Sequence, residues 1–188
     1  MLAIGIMLIG LVGIVSMQRI SVDSNRHAKN LAMANRIAQS AMEMLIADSL
    51  AWDAQSLLSN TVYLTNVTDV NPGPWLTFDS NTGVISYDAL GDRLVGTSAG
   101  SVYCINYRVN PMMVLPIQPN DPPPVENGNL ILMRAEVRAY WRRNDFATSV
   151  GNADPLDAVG YCGLENAPDA ESGHHIVRLT SAIARQLQ

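Results

Sequence analysis

The stretch Met1–Met17, MLAIGIMLIGLVGIVSM, contains no charged residue, and the first charge is Arg19. It is apolar all round a helix, with no polar stripe. At about 1.5 Å per residue it would make roughly 25 Å of helix, a little short of a bilayer core. Core helices of soluble domains keep a polar face, so a helix of this kind needs lipid or other apolar helices around it. After Arg19 the helical character continues but the chemistry changes. Neither Gly nor Pro occurs between Ile20 and Leu58, and the good helix formers Ala, Leu, Met, Gln, Glu, Arg and Lys are frequent there. Leu31, Ala34, Ala38, Ala41 and Leu45 recur at steps of three or four. Ile37, Met44 and Ala51 widen that stripe, while Arg26, Lys29, Asn30, Arg36, Gln39 and Glu43 lie largely off it. The pattern predicts one long helix with an apolar half at 1–18 and an amphipathic half at 19–58. A globular head at 59–188 follows, which the amphipathic half would lie along.

The head is long enough for one domain with a real core. The chain has a net charge of -5 and no lysine–arginine block, which excludes nucleic acid as a partner, because phosphate binding needs clustered positive charge. A cleaved secretory signal is also a poor match. No basic residue precedes the apolar run, and no A-x-A pattern follows it, so the segment is expected to stay attached. Orientation signals conflict. Arg19, Arg26 and Lys29 follow the span, which by the positive-inside rule places the head in the cytoplasm. Two cysteines, Cys104 and Cys162, suit one disulfide in an exported head, with two reduced buried thiols as the alternative.

From Ser59 to Gly100 turn formers dominate: Asn60, Asn66, Asn71-Pro72-Gly73-Pro74, Asp79 to Gly83 and Gly91-Asp92. Thr61–Leu64 and Val84–Tyr87 read as short strands, with a hairpin around Asn81-Thr82-Gly83. Val102–Val109 alternates, placing Tyr103, Ile105, Tyr107 and Val109 on one face. Pro111 and the run from Pro116 to Pro124 end it. Ile131–Arg142 is the cleanest strand. Ile131, Met133, Ala135, Val137, Ala139 and Trp141 form a buried face, and Leu132, Arg134, Glu136, Arg138, Tyr140 and Arg142 a wet one. A polar loop spans Asn144–Gly173. His175–Ala184 reads as a last strand with Val177, Leu179 and Ile183 inward. The fold class is therefore α+β, a long N-terminal α-helix packed on a one-sided antiparallel β-sheet.

This order of parts resembles the type IV pilin and pseudopilin family, most of all its PilV-type minor pilins. The resemblance rests on the apolar Leu2–Leu11 segment, the Met17-Gln18-Arg19 and Ala38–Met44 stretches, and strands like Tyr103–Val109, Ala135–Trp141 and Ile176–Thr180. It implies a structural subunit of a pilus, without enzymatic activity, that takes part in filament assembly or initiation and in adhesion. Leu2, Ile6, Ile9, Leu11 and Ile14 would pack in the filament core, with Gly5, Gly10 and Gly13 permitting close helix approach. Partners would be other pilins through the N-terminal helix, and the inner membrane before assembly. The head would be extracytoplasmic and then extracellular, with a Cys104–Cys162 disulfide closing its C-terminal loop. A type II secretion pseudopilin is the alternative within the family, and a single-span anchored binding module the alternative outside it. One departure is large. The family's basic leader, its processing Gly and its downstream Glu are absent here. The sequence opens about a dozen residues into the family's apolar segment. Either the native chain carries that leader, Gly and Glu upstream of Met1, as the resemblance predicts, or it is not processed as a pilin.

Candidate chemical sites are few. His174-His175 with Asp169 and Glu171 has zinc-ligand composition, but adjacent residues of a strand point to opposite faces, so two ligands on one ion are not expected. The loop from Asn144-Asp145 through Asn152, Asp154 and Asp157 carries oxygen donors without EF-hand spacing. Some pseudopilins bind calcium in such a loop, so calcium is the one ligand left open, and otherwise no cofactor is expected. No nucleophile elbow, P-loop or dinucleotide fingerprint occurs.

Overall fold

The structure, a computed structural model, describes residues 2–52, 58–67, 72–80, 83–95, 101–114, 130–142, 162 and 174–185, with helix side chains described from Gly13 onward. Helix α1 runs Leu2–Asp48. Its face changes along its length. Residues 13–29 are exposed on every side. Above them Ala34, Ile37, Ala38, Ala41, Met42 and Leu45 sink into the core, and this stripe is the one the three-and-four spacing predicts.

The stripe packs on strands β5 (Tyr103–Val114), β6 (Leu130–Arg142) and β7 (His174–Ala184). Before them come β1 (Leu76–Thr77), β2 (Asp79–Ser80), β3 (Gly83–Tyr87) and β4 (Arg93–Val95). Every pairing is antiparallel. Strands β5, β6 and β7 form a meander, β3 and β1 line the other edge of β5, and β2 and β4 pair with β3. The register pairs Tyr103 with Trp141 and Trp141 with His175. Stepping by twos from there puts Ile105, Tyr107, Val109, Met133, Ala135, Val137, Ala139, Val177 and Ile183 on the helix-facing side, all buried in one core. Ala34, Ala38 and Ala41 of α1 share that core with Ala135 and Ala139. Small side chains on both partners let helix and sheet come close. Tyr63, Phe78 and Tyr107 extend the core, with ring centroids 4.6 to 5.7 Å apart.

Besides β5, which runs on through Pro111 to Val114 where the sequence reading ended the strand, three sequence expectations need correction. The helix was expected to reach residue 58 but ends at Asp48, followed by a 3-10 turn at Ser49–Ala51. Ser49 Oγ donates to the Ile46 carbonyl at 2.6 Å, and Trp52, 1% exposed, turns the chain into the core. Thr61–Leu64 is not a strand. Thr61–Tyr63 link two 3-10 turns, Leu58–Asn60 and Leu64–Asn66, and Leu64 begins the second. The Asp48 carboxylate collects three successive amides there, whereas in an extended chain successive N–H groups point to opposite sides. The third correction concerns the far face of β6, which is not wet. Glu136, Arg138 and Tyr140 are buried, Arg138 to 4% exposure. The Trp75 indole lies against Arg138, and Tyr140 is buried with Cys104 and Cys162.

Candidate functional site

The exposed part of α1 is the feature that most needs a partner. Ile14, Val15, Met17, Ile20 and Val22 are all exposed, Met17 to 74% and Ile20 to 71%. Apolar surface of this extent on a protruding helix marks an interaction surface. Arg19, Asp23, Arg26 and Lys29 are interspersed and exposed, and none of them forms an ion pair among the described residues.

The stem is held on the head at three places. At its base the Tyr103 hydroxyl donates to Asn30 Oδ1 at 3.1 Å. The His27 ring lies 4.9 Å from His175 and 6.5 Å from Trp141, and Trp141 also stacks on His175 at 5.2 Å and on Tyr103 at 5.9 Å. At the other end Asp48 Oδ1 accepts the Val62 N–H at 2.8 Å. Its Oδ2 accepts those of Tyr63 at 2.8 Å and Leu64 at 3.0 Å. A third contact lies between them. The turn joining β3 and β4 is closed by Asp88 Oδ1, which accepts the Leu90 and Asp92 amides. Its Gly91 has φ +84°, and a Cβ there would lie 2.5 Å from Met33 Sδ of α1. Glycine is needed both for that backbone conformation and for the close approach.

The far side of the sheet has its own structure. Trp75 receives the guanidinium groups of Arg108 at 4.5 Å, Arg138 at 4.4 Å and Arg178 at 5.9 Å from its ring centroid. Arg108 Nε donates to Glu136 Oε2 at 2.8 Å, Arg134 Nε lies 3.0 Å from Glu136 Oε1, and Arg138 Nε donates to Asn106 Oδ1 at 3.1 Å. Beside this network Cys104 and Cys162 form a disulfide with Cα atoms 5.2 Å apart, and Tyr140 is buried with them. On the helix side, burial pushes the phenols of Tyr87 and Tyr103 up. It pushes Tyr107 up to about 12, with the hydrogen bond from Asn66 acting in the opposite direction.

The residues singled out in the sequence fall as follows. Leu2, Ile6, Ile9 and Leu11 lie within α1, with side chains outside the described residues. Ile14 is exposed on the stem. Cys104 and Cys162 are joined, which settles the alternative of two free thiols. His174 meets Tyr140 edge-on on the far face, whereas His175 meets His27 on the helix face, so the adjacent histidines do point to opposite sides. Asp169, Glu171, Asn144, Asp145, Asn152, Asp154 and Asp157 lie outside the described residues. Among the described residues no group of three or more His, Cys, Asp or Glu side chains could hold a metal. Also among them, no helix is long and apolar enough to cross a membrane. Sequence reasoning missed Asp48, Trp75, His27 and the Gly91 contact. Only Gly91, in a Gly-Asp turn, carried a local signal. No protein-family model, curated protein or solved structure matches the chain.

Proposed function

We propose that the chain is a structural minor pilin, a subunit of a type IV pilus that contributes to filament assembly or initiation. The observation that carries this reading is the stem: a helix exposed from Gly13 to Lys29, with Ile14, Val15, Met17, Ile20 and Val22 on its surface, fixed at both ends of its upper part to an α+β head. A helix built in this way serves to join the head to something else, and the run below it, Leu2–Val12, is more apolar still. Before assembly that run lies in the inner membrane. In the filament it packs among equivalent helices of other pilins, with Leu2, Ile6, Ile9, Leu11 and Ile14 in the filament core. The Cys104–Cys162 disulfide supports a head in an oxidising compartment outside the cytoplasm. The proposal assigns no catalytic residue or cofactor.

Leu11→Arg tests the reading. A charge among closely packed apolar helices costs several kcal/mol, so the variant should be lost from sheared filaments while its head keeps its circular dichroism spectrum. Normal abundance of Leu11→Arg in filaments would refute the filament-core role and favour a lone membrane-anchored module.

A further inference from the structure

The sheet ends at β7, which pairs with β6 on one side and with no strand on the other among the described residues. Proteins usually blunt an edge strand by shortening or bulging it, or with Pro or Lys, because its unpaired backbone groups invite another chain. β7 uses none of these devices. It is 11 residues long, its register with β6 is continuous from Leu132 to Arg142, and it contains neither Pro nor Lys. Just beyond it the Arg185 N–H donates to the Ile131 carbonyl. Antiparallel ladders alternate, so Ile183, Ser181 and Leu179 also bond to β6, while Thr180, Ala182 and Ala184 turn their N–H and C=O groups outward. All three residues are exposed. Of these outward groups, only the Ala182 carbonyl has a partner among the described residues, Ser181 Oγ at 3.5 Å. Helix α1 supplies a wall beside this edge. Helix and strand leave the His27–His175 contact in the same direction, since α1 is buried only above it and β7 begins there. One flank of the buried stripe, with Asn30 and Met33, meets Tyr103 and the Gly91 turn. At about 100° per residue, Leu31, Asn35, Gln39 and Ile46 fall on the other flank, the β7 side. Ile46, 46% exposed, is about 28 Å up the helix from His27, level with Ala184 at about 30 Å up the strand from His175.

We propose that the outer edge of β7 takes an added β-strand from another polypeptide, paired along Thr180–Ala184, with an apolar side chain against Ile46. Main-chain hydrogen bonds hold such a strand, and its alternate side chains meet the helix wall. Charge narrows the partner. Leu179–Ala184 carries no charge and lies between Arg178 and Arg185, so an uncharged strand with a carboxylate at each end is complementary. A second copy's β7 is not. Paired antiparallel through the same residues, it would set Arg178 of each copy beside Arg185 of the other. The edge belongs to the head, so this assignment is independent of the filament reading.

Fluorescence anisotropy tests this with the full chain in a nonionic detergent and a labelled synthetic peptide of alternating valine and threonine with a glutamate at each end. The peptide should bind saturably. Of two versions N-methylated at alternate residues, one should bind like the parent and the other at least about tenfold more weakly, because only one loses the N–H groups that meet β7. Ala182→Pro removes an outward N–H and leaves the β6 ladder alone, so the variant should keep its circular dichroism spectrum and bind about tenfold more weakly. The methylated pair needs no change to the protein and decides the matter if that variant is unfolded. Lysine in place of glutamate at both peptide ends should weaken binding about tenfold at low salt. No saturable binding of the parent peptide overturns the proposal, and so does equal binding of the two methylated versions. Dimers of the full chain that Ala182→Pro abolishes would also overturn it, because the occupant is then a second copy. Leu11→Arg acts on the stem and should leave peptide binding unchanged, so the two readings fail separately.

Discussion

Asp48 sits at the C-terminal end of α1, where a carboxylate faces the negative end of the helix dipole. Its position makes sense only through its partners, the amides of Val62, Tyr63 and Leu64, 14 to 16 residues further on. Three charge-assisted hydrogen bonds outweigh an unfavourable dipole term of a few tenths of a kcal/mol. Asp48→Ala should therefore cost about 2 kcal/mol of stability, read as a lower urea midpoint, and Asp48→Asn less, because one oxygen still accepts. A second residue-scale expectation concerns alkali. Tyr107 is pushed up to about 12, first by burial and further by Tyr63, Asp48 and Asp79, while Tyr87 and Tyr103 shift the same way. In the unfolded chain these phenols begin to ionise near pH 10. Between pH 10 and 12 the unfolded state releases protons that the folded state keeps, so stability is intact below pH 10 and falls as pH rises through this window. Chemical denaturation at a series of pH values should show that decline, and Tyr107→Phe should make it shallower. An unchanged slope in Tyr107→Phe would mean that this phenol is not the responsible group.

At the scale of elements, β6 shows both what the sequence makes legible and where that ends. Its alternation assigned the buried face correctly, because Met133, Ala135, Val137, Ala139 and Trp141 are apolar at period two. The same alternation suggested a wet far face, since Arg134, Glu136, Arg138 and Arg142 are charged. Instead Glu136 is paired with Arg108, and Arg138 lies on the indole of Trp75, which follows an Asn-Pro-Gly-Pro stretch that reads only as a turn. The end of α1 was hidden for a related reason. Residues 49–58 have the composition of a helix, and what stops it is burial of Trp52 and the reach of Asp48, both tertiary. Of the stem, the apolar character and basic residues could be read directly, but its seating through His27, Asn30 and the Gly91 turn could not, because those contacts join distant segments. The disulfide links two such segments across 58 positions. If constraint of the unfolded chain is its main effect, closing a loop of that length stabilises by about 4 kcal/mol. Cys104→Ser/Cys162→Ser should lose most of that amount in denaturant titration. A loss under about 1 kcal/mol would show that the far-face network around Trp75 holds the head without the bond.

The whole molecule is a head and a stem whose stabilities are separable, and the burial pattern marks where. Below Asn30 α1 contributes no buried side chain among the described residues. Its lowest contacts with the sheet are those of His27 with His175 and Trp141 and of Asn30 with Tyr103. Deleting Met1–Asn25 removes the exposed Ile14, Val15, Met17, Ile20 and Val22 and leaves the buried stripe, the Asp48 clamp and the Gly91 seat intact. The truncated chain should therefore be monomeric at concentrations where the full chain aggregates without detergent, because the apolar surface that drives association is gone. Its urea midpoint should match that of the detergent-solubilised full chain measured in the same detergent. Helix fraying is the one opposing effect, since shortening α1 exposes a new end near His27. That end remains pinned by the stacked rings and the Tyr103 hydrogen bond, so the loss should stay within about 1 kcal/mol. A truncated chain that is unfolded, or whose midpoint falls much further, would mean that the stem stabilises the head. The division between a folding unit and an assembly helix would then be wrong.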